Sequence, residues 1–265
     1  RNDIDYFPLS VEFEERFYAA GQILGSRFIR REGRPSDEAI LSGRIIDRTI
    51  RPLFNPAFRN DVPVVVTVLA LGEDDPDVVG INAASLALAV SDIPWGGPVS
   101  AVRLGKKKGS NELIVNPSNE FRNAPDVELD LVVCGKNSTV TMIEVEAREV
   151  PETTLVGALE RGIEEIETLQ TFQKMVVEKR GSQKHEVVMS PPSHELAHLF
   201  EEMRKQFETV VFSGVPGKGG LSEIKKIFLE RVADSLPDMV REAGAYFEGE
   251  LEQLMRVRAI EKGER

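Results

Sequence analysis

Residues 62–71, VPVVVTVLAL, are β-branched and apolar, a pattern that predicts a buried strand. An acidic loop, GEDDPD, separates them from 78–91, VVGINAASLALAVS. The small apolar residues there predict a helix packed closely against a sheet. PVSAVRLG and ELIVNP read as short strands. Residues 127–133 and 138–146, VELDLVV and STVTMIEVE, flank the turn residues GKN and predict a hairpin. From Pro151 and Glu152 onward, Leu155, Leu159, Ile163, Ile166, Leu169, Gln173 and Val176 follow a helical period. That predicts a long helix ending near Arg180-Gly181.

The pattern then changes. SQKHEVVMSPPS (182–193) reads as a linker. Three amphipathic helices follow, with no convincing strand. Their apolar faces are Leu196, Leu199, Met203 and Phe207; Ile224, Ile227 and Phe228; and Val240, Phe247, Leu251 and Leu254. The chain is read as an α+β domain over 1–185 and a small all-α domain over 190–265.

Near the start, Ser36 followed by Asp37 and Glu38 marks a helix N-terminus. Pro52 forbids continuation beyond about Arg51. Arg44, Arg48 and Arg51 then share one narrow stripe, opposite Ile45, Ile46, Thr49 and Ile50. Three guanidinium groups are expected to point one way from a rigid support.

Charge sharpens this picture. The 265 residues carry a formal net charge of −11. Residues 1–60 nonetheless sum to +1, and the segment RFIRREGRP (27–35) holds four arginines against one glutamate. An acidic body with one Arg-rich region points to a local anion site. Two readings of the stripe stay open. One is a solvated face, with Asp47 pairing with Arg44 or Arg51. The other is a phosphate-gripping surface built on planar donor forks. Phe28 beside Arg27, Arg30, Arg31 and Arg34 is the combination that holds single-stranded nucleic acid, base on ring and backbone on arginine. Its other reading is a core residue anchoring a loop. A single cysteine, Cys134, excludes an internal disulfide framework and fits a reducing compartment. No apolar run is long enough for a transmembrane helix. Both ends, RNDIDYFPLS and EKGER, read as cuts in a longer protein.

DYFPLSVEFEERFYAAGQILGSRFIRREGRPSDEAILSGRIIDRTIRPLF (5–54) resembles the first ribonuclease-PH-like core of bacterial polynucleotide phosphorylase. VTVLALGEDDPDVVGINAASLALAVSDIPW and LDLVVCGKNSTVTMIEVEAREV are similar to later segments of that core. The helical part resembles the linker domain that follows it. The implied fold is an N-terminally truncated core of mixed sheet and packed helices, then the all-α domain. The implied activity is that of a 3′-to-5′ exoribonuclease and nucleotidyltransferase. Inorganic phosphate attacks the 3′-terminal phosphodiester and releases a nucleoside diphosphate, a step in mRNA turnover. The implied setting is a cytoplasmic homotrimer threading single-stranded RNA, with RNA-degradosome proteins as further partners and no membrane. The resemblance places Phe28, Ile29, Arg30 and Arg31 in a pore loop, with Ile29 where the family has a second aromatic. It places Arg44, Arg48 and Arg51 on a helix facing the RNA path, and Arg34 joins the RNA-binding set.

Phosphorolysis brings anion against anion and needs positive charge and Mg²⁺. Active cores of the family hold phosphate with a small hydroxyl-rich loop at a helix N-terminus. This chain has GEDDPD there, so Glu73, Asp74, Asp75 and Asp77 cap the helix or, alternatively, form a metal site. Glu128 and Asp130 lack the upstream acidic partner that the family uses for Mg²⁺. The resemblance thus implies a degenerate, RNA-guiding core without catalytic residues or resident metal. Mg²⁺ and phosphate would be bound by a second core.

HELAH (194–198) matches a zinc-protease motif, with His194 and His198 as ligands and Glu195 as base. A noncatalytic subunit of an exosome-like ring is a further alternative. GVPGKGG (214–220) lacks the Ser or Thr of a phosphate loop and reads as an inter-helix loop. KKK (106–108) reads as a solvated hairpin tip.

Overall fold

The computed structural model describes residues 6–23, 35–56, 58–186, 194–213 and 219–263. The chain divides into two compact units, Arg1–Val187 and Val188–Arg265.

In the first unit, β1 (Leu9–Glu14) pairs in parallel with β2 (Val62–Thr67). β3 (Ser100–Lys107), β4 (Ile114–Val115), β5 (Val127–Lys136) and β6 (Thr139–Ala147) form an antiparallel sheet in the order β4-β3-β5-β6. Parallel and antiparallel pairing with helices packed on the strands gives the expected core of mixed sheet and packed helices, here as a parallel pair and a four-stranded antiparallel sheet. α1 (Asp37–Ile50) packs on β1, and α2 (Pro76–Val90) packs on β2 and β3. α3 (Asn119–Arg122) is a single turn beside β5, and α4 (Glu152–Arg180) lies across β3 and β5.

Alternation along β3 and β5 gives the antiparallel sheet two apolar faces. Ala101, Val132 and Cys134 join the core under α1 and α2. Val102, Leu104, Leu129, Leu131 and Val133 join the core under α4. Cys134 is fully buried, which pushes its thiol up to about 12. Gly162 lets α4 approach closely, because a Cβ there would meet Val133 Cγ2 at 3.1 Å. Two buried glutamines fasten the same helix. Gln170 donates to Pro98 O and Gly135 O (3.0 and 3.2 Å). Gln173 donates to Val99 O and Ser100 Oγ (both 3.0 Å) and accepts from Ser85 Oγ of α2 (2.9 Å).

The hairpin runs further than the sequence pattern suggests. β5 continues to Lys136, and Asn137 and Ser138 form the turn, with φ of 50° and 60°. Positive φ at both central residues matches the right-handed twist of a two-residue hairpin. Gly135 serves a bulge instead of the turn. The register shifts between Cys134 and Gly135, and a Cβ there would meet Thr139 O at 2.7 Å.

The second unit contains α5 (His194–Val211), α6 (Gly219–Ser235) and α7 (Val240–Lys262). Phe200, Phe207, Phe228 and Phe247 form its centre, with ring centroids 4.9–6.1 Å apart. Ile227 and Val240, expected inward, are 44% and 39% exposed. The buried stripe of α6 is Ile224, Phe228 and Val232, and Ile227 lies beside it.

Candidate nucleic-acid interface

α1 begins as its sequence dictates. Ser36 Oγ accepts from Ala39 N at 2.9 Å, and Asp37 and Glu38 sit at the positive end of the helix. Ile46, Thr49 and Ile50 are buried, which turns Arg44 and Arg48 outward. These two arginines line a groove of about 1260 Å³ between α1 and the β1 side of the unit. Phe13, Phe17, Ala39 and Ile40 contribute apolar surface to it.

The three stripe arginines are not equivalent. Arg44 is exposed and forms no ion pair with any described residue. Arg48 Nη1 pairs with Glu144 Oε2 at 2.8 Å, both side chains about half exposed. Such a pair stabilises by only about 0–1 kcal/mol, so an external phosphate can compete for the guanidinium. Arg51 is held by several partners, although its side chain is 41% exposed. Its Nε and Nη2 grip Asp47 at 2.8 and 2.6 Å. It also donates to Leu9 O (3.1 Å) and Phe7 O (3.4 Å), and lies 5.8 Å from the Phe7 ring centroid. Arg51 thus ties the end of α1 to the start of β1. The expected trio pointing one way is corrected to two outward arginines and one anchor. Phe28, Arg30, Arg31 and Arg34 lie outside the described residues.

Acids also line the groove, but most are occupied. Glu14 accepts from Thr67 Oγ1 (2.8 Å) and pairs with Arg16 (2.9 Å), contacts that hold its carboxyl below the usual range. Glu15 accepts from Ser36 Oγ at 2.6 Å.

The acidic loop before α2 folds inward at one residue. Asp75 is 6% exposed and caps the helix, its Oδ1 accepting from Asp77 N at 3.2 Å. Its Oδ2 lies 2.8 Å from Arg103 Nη1 and 3.5 Å from Arg122 Nη1. Arg103 Nε lies 3.4 Å from Asp130 Oδ1. Asp77 accepts from Ser42 Oγ at 2.5 Å, while burial pushes its carboxyl above the usual range. Burial raises Asp130 likewise, against the pull of Arg103. These carboxylates do not suit Mg²⁺: Asp75 and Asp130 face arginines, and Glu128 is paired with Lys106. Among the described residues no group of three or more His, Cys, Asp or Glu is arranged to hold a metal. Sequence reasoning missed Arg103 and Arg122. The available signal was an arginine inside the apolar run SAVRLG, where an unpaired charge is costly.

In the second unit, His198 is 77% exposed and its Nδ1 lies 3.3 Å from Glu202 Oε1 on the same helix. That exposed helix face offers none of the enclosure of a catalytic zinc site.

Two family descriptions match the chain. "3' exoribonuclease family, domain 1" covers residues 1–94, and "3' exoribonuclease family, domain 2" covers 97–165. The chain belongs to the 3' exoribonuclease family. Among its relatives, the polyribonucleotide nucleotidyltransferase of Heliobacterium modesticaldum is 46% identical over 203 residues, 76% of this chain and 28% of that protein. That of Halothermothrix orenii is 40% identical over 270 residues, 99% of this chain and 37% of that protein. The chain thus spans between a quarter and two fifths of the length of these relatives. A crystal structure of rice Rrp46 shares the fold, with a TM-score of 0.51 at 14% identity over 67% of this chain and 77% of that one. Both matched domains lie within the first unit, and the all-helical unit lies beyond them.

Proposed function

We propose that this chain is the RNA-guiding part of a phosphorolytic 3′-to-5′ exoribonuclease, and that the phosphorolytic chemistry resides in another core of the full-length protein. The observation that carries the reading is the pair Arg44 and Arg48, presented outward over an apolar-lined groove in a chain whose relatives are polyribonucleotide nucleotidyltransferases. Arginine forks track a phosphate backbone, and apolar surface accommodates bases. The carboxylates around Arg103 support placing turnover elsewhere, since Asp75 and Asp130 are held against arginines instead of being free for Mg²⁺. In the full-length protein, Mg²⁺ and inorganic phosphate act at the other core. A cytoplasmic homotrimer, with RNA-degradosome proteins as partners, is the assembly this reading calls for. In this reading the Arg-rich segment with Phe28, Arg30, Arg31 and Arg34 adds to the RNA contact.

The test is RNA affinity across a salt series. Arg44→Ala with Arg48→Ala is expected to weaken binding of single-stranded RNA about tenfold and lower the salt slope by about 1–2. Arg51→Ala is expected to cost folding stability through its lost Asp47 and strand contacts. Unchanged affinity and slope in a folded Arg44/Arg48 variant would remove α1 from the RNA path. Release of nucleoside diphosphates from RNA by this chain alone would refute the assignment of turnover elsewhere.

A further inference from the structure

We propose that Glu144 of β6 is a standby partner for Arg48, a positioning residue that occupies the guanidinium whenever no RNA phosphate does and so sets how tightly α1 holds a strand. The inference rests on the reading of α1 as an RNA-contacting helix, and it adds to that interface a residue from the antiparallel sheet. The sequence of α1 shows why the partner comes from elsewhere. A helical side chain pairs with neighbours three and four positions away. For Arg48 those are Arg44, Ile45, Arg51 and Pro52, none of them acidic. Asp47, next to it, grips Arg51 through two bonds at 2.8 and 2.6 Å. Arg44 and Arg48, one turn apart with like charge, are left to repel each other.

β6 supplies the missing carboxylate. Met142 lies in the core that also holds Ile46 and Ile50 of α1. Glu144 follows two residues later on the same face, opposite Val132 of that core. Met142 thus seats the strand against the helix, and Glu144 stands beyond the core with its side chain 50% exposed. Its Oε2 accepts from Arg48 Nη1 at 2.8 Å. This carboxylate takes one nitrogen of the fork, whereas Asp47 takes two of Arg51. The Arg51 pair is built to last and the Arg48 pair to open. An RNA phosphate that reaches Arg48 must displace Glu144, and an exposed pair of this kind lowers affinity by about two- to fivefold. The exchange replaces one anion by another at Arg48. The contact therefore adds little to the net cationic charge that a strand meets, and it flattens the salt dependence of binding. A strand moving along the groove gains from this arrangement. As one phosphate leaves, Glu144 takes the guanidinium until the next arrives, and the hold on the strand stays releasable.

Affinity of the full chain for an unstructured single-stranded RNA is measured across a salt series. Glu144→Gln keeps the size and an acceptor oxygen but removes the charge. It is expected to tighten binding about two- to fivefold. It is also expected to steepen the slope of log affinity against log salt by about 0.7, the share of one single-strand phosphate. Glu146 is exposed on the same face of β6 but lies opposite Asp130, so Glu146→Gln removes an equal charge further along the strand. It is expected to change binding less. In an Arg48→Ala background the gain from Glu144→Gln should vanish. No gain from Glu144→Gln, an equal gain from Glu146→Gln, or a gain that persists without Arg48 would each overturn the proposal. If Arg44→Ala with Arg48→Ala leaves binding unchanged, the reading of α1 falls and takes this proposal with it. If that pair weakens binding while Glu144→Gln changes nothing, the reading of α1 stands and the role of Glu144 alone falls.

Discussion

Arg44, Arg48 and Arg51 share one helical stripe, yet their neighbours give them different work. Helical spacing told which way each Cβ points, and that direction holds. It did not show that β1 passes within reach of Arg51, or that Asp47 turns toward Arg51 rather than Arg44. Those facts depend on a strand more than 35 residues away in sequence. Asp77 is a similar case. The sequence read it as a capping acid of the loop before the helix, whereas it lies in the first turn of α2, and its contact with Ser42 comes from the packing of two helices. Burial raises its carboxyl above the unfolded value. A group shifted this way contributes stability that is present below its unfolded pKa and is lost as pH rises through the folded one. At neutral pH the ionised form is therefore a cost. Asp77→Asn keeps an acceptor for Ser42 and removes that titration. Urea unfolding across pH 4 to 8 should show the variant gaining on the native chain as pH rises. Parallel stability curves would show that Asp77 is not titrating in a buried setting.

At the scale of elements, the sequence pattern located nearly every helix and strand, and erred where side-chain partners set the ends. GKN reads as a turn because glycine and asparagine are turn residues. The strand instead continues through Gly135, where a bulge brings Thr139 O too close for any Cβ. In α4, Gln173 fell on the apolar period of the helix, and it is indeed buried. Its amide links α4 to α2 and to the start of β3, contacts that no periodicity encodes. Gln173→Leu retains size and helix propensity but strands Val99 O and the hydroxyls of Ser85 and Ser100. A buried polar group left without a partner costs about 1–3 kcal/mol. We expect a loss of about 2 kcal/mol by urea unfolding. A loss under about 0.5 kcal/mol would mean that these groups find new partners and that the link is dispensable.

At the scale of the whole molecule, each unit has its own core. Among the described residues, the apolar clusters of the first unit draw on residues from Phe7 to Leu169, and that of the second on residues from Leu196 to Leu254. The composition shifts near 182–193, after the long helix α4, and the compact units divide at Val187 and Val188. Phe200 was missed as a centre of the second core. Its ring touches four other aromatic rings, on all three helices, a convergence visible only after folding. Independent cores imply separable unfolding. Phe247 is 1% exposed and packs on Phe200, Phe207 and Phe228. Phe247→Ala should cost about 3–5 kcal/mol by transfer and cavity terms. A loss of that size approaches the whole stability of a small domain. Hydrogen exchange should then show α5, α6 and α7 losing protection while α1, α2 and α4 keep theirs. Calorimetry should show the lower transition moving and the upper one standing still. Equal loss of protection in both units would mean that they unfold as one cooperative body, and the second core would then owe its stability to the first.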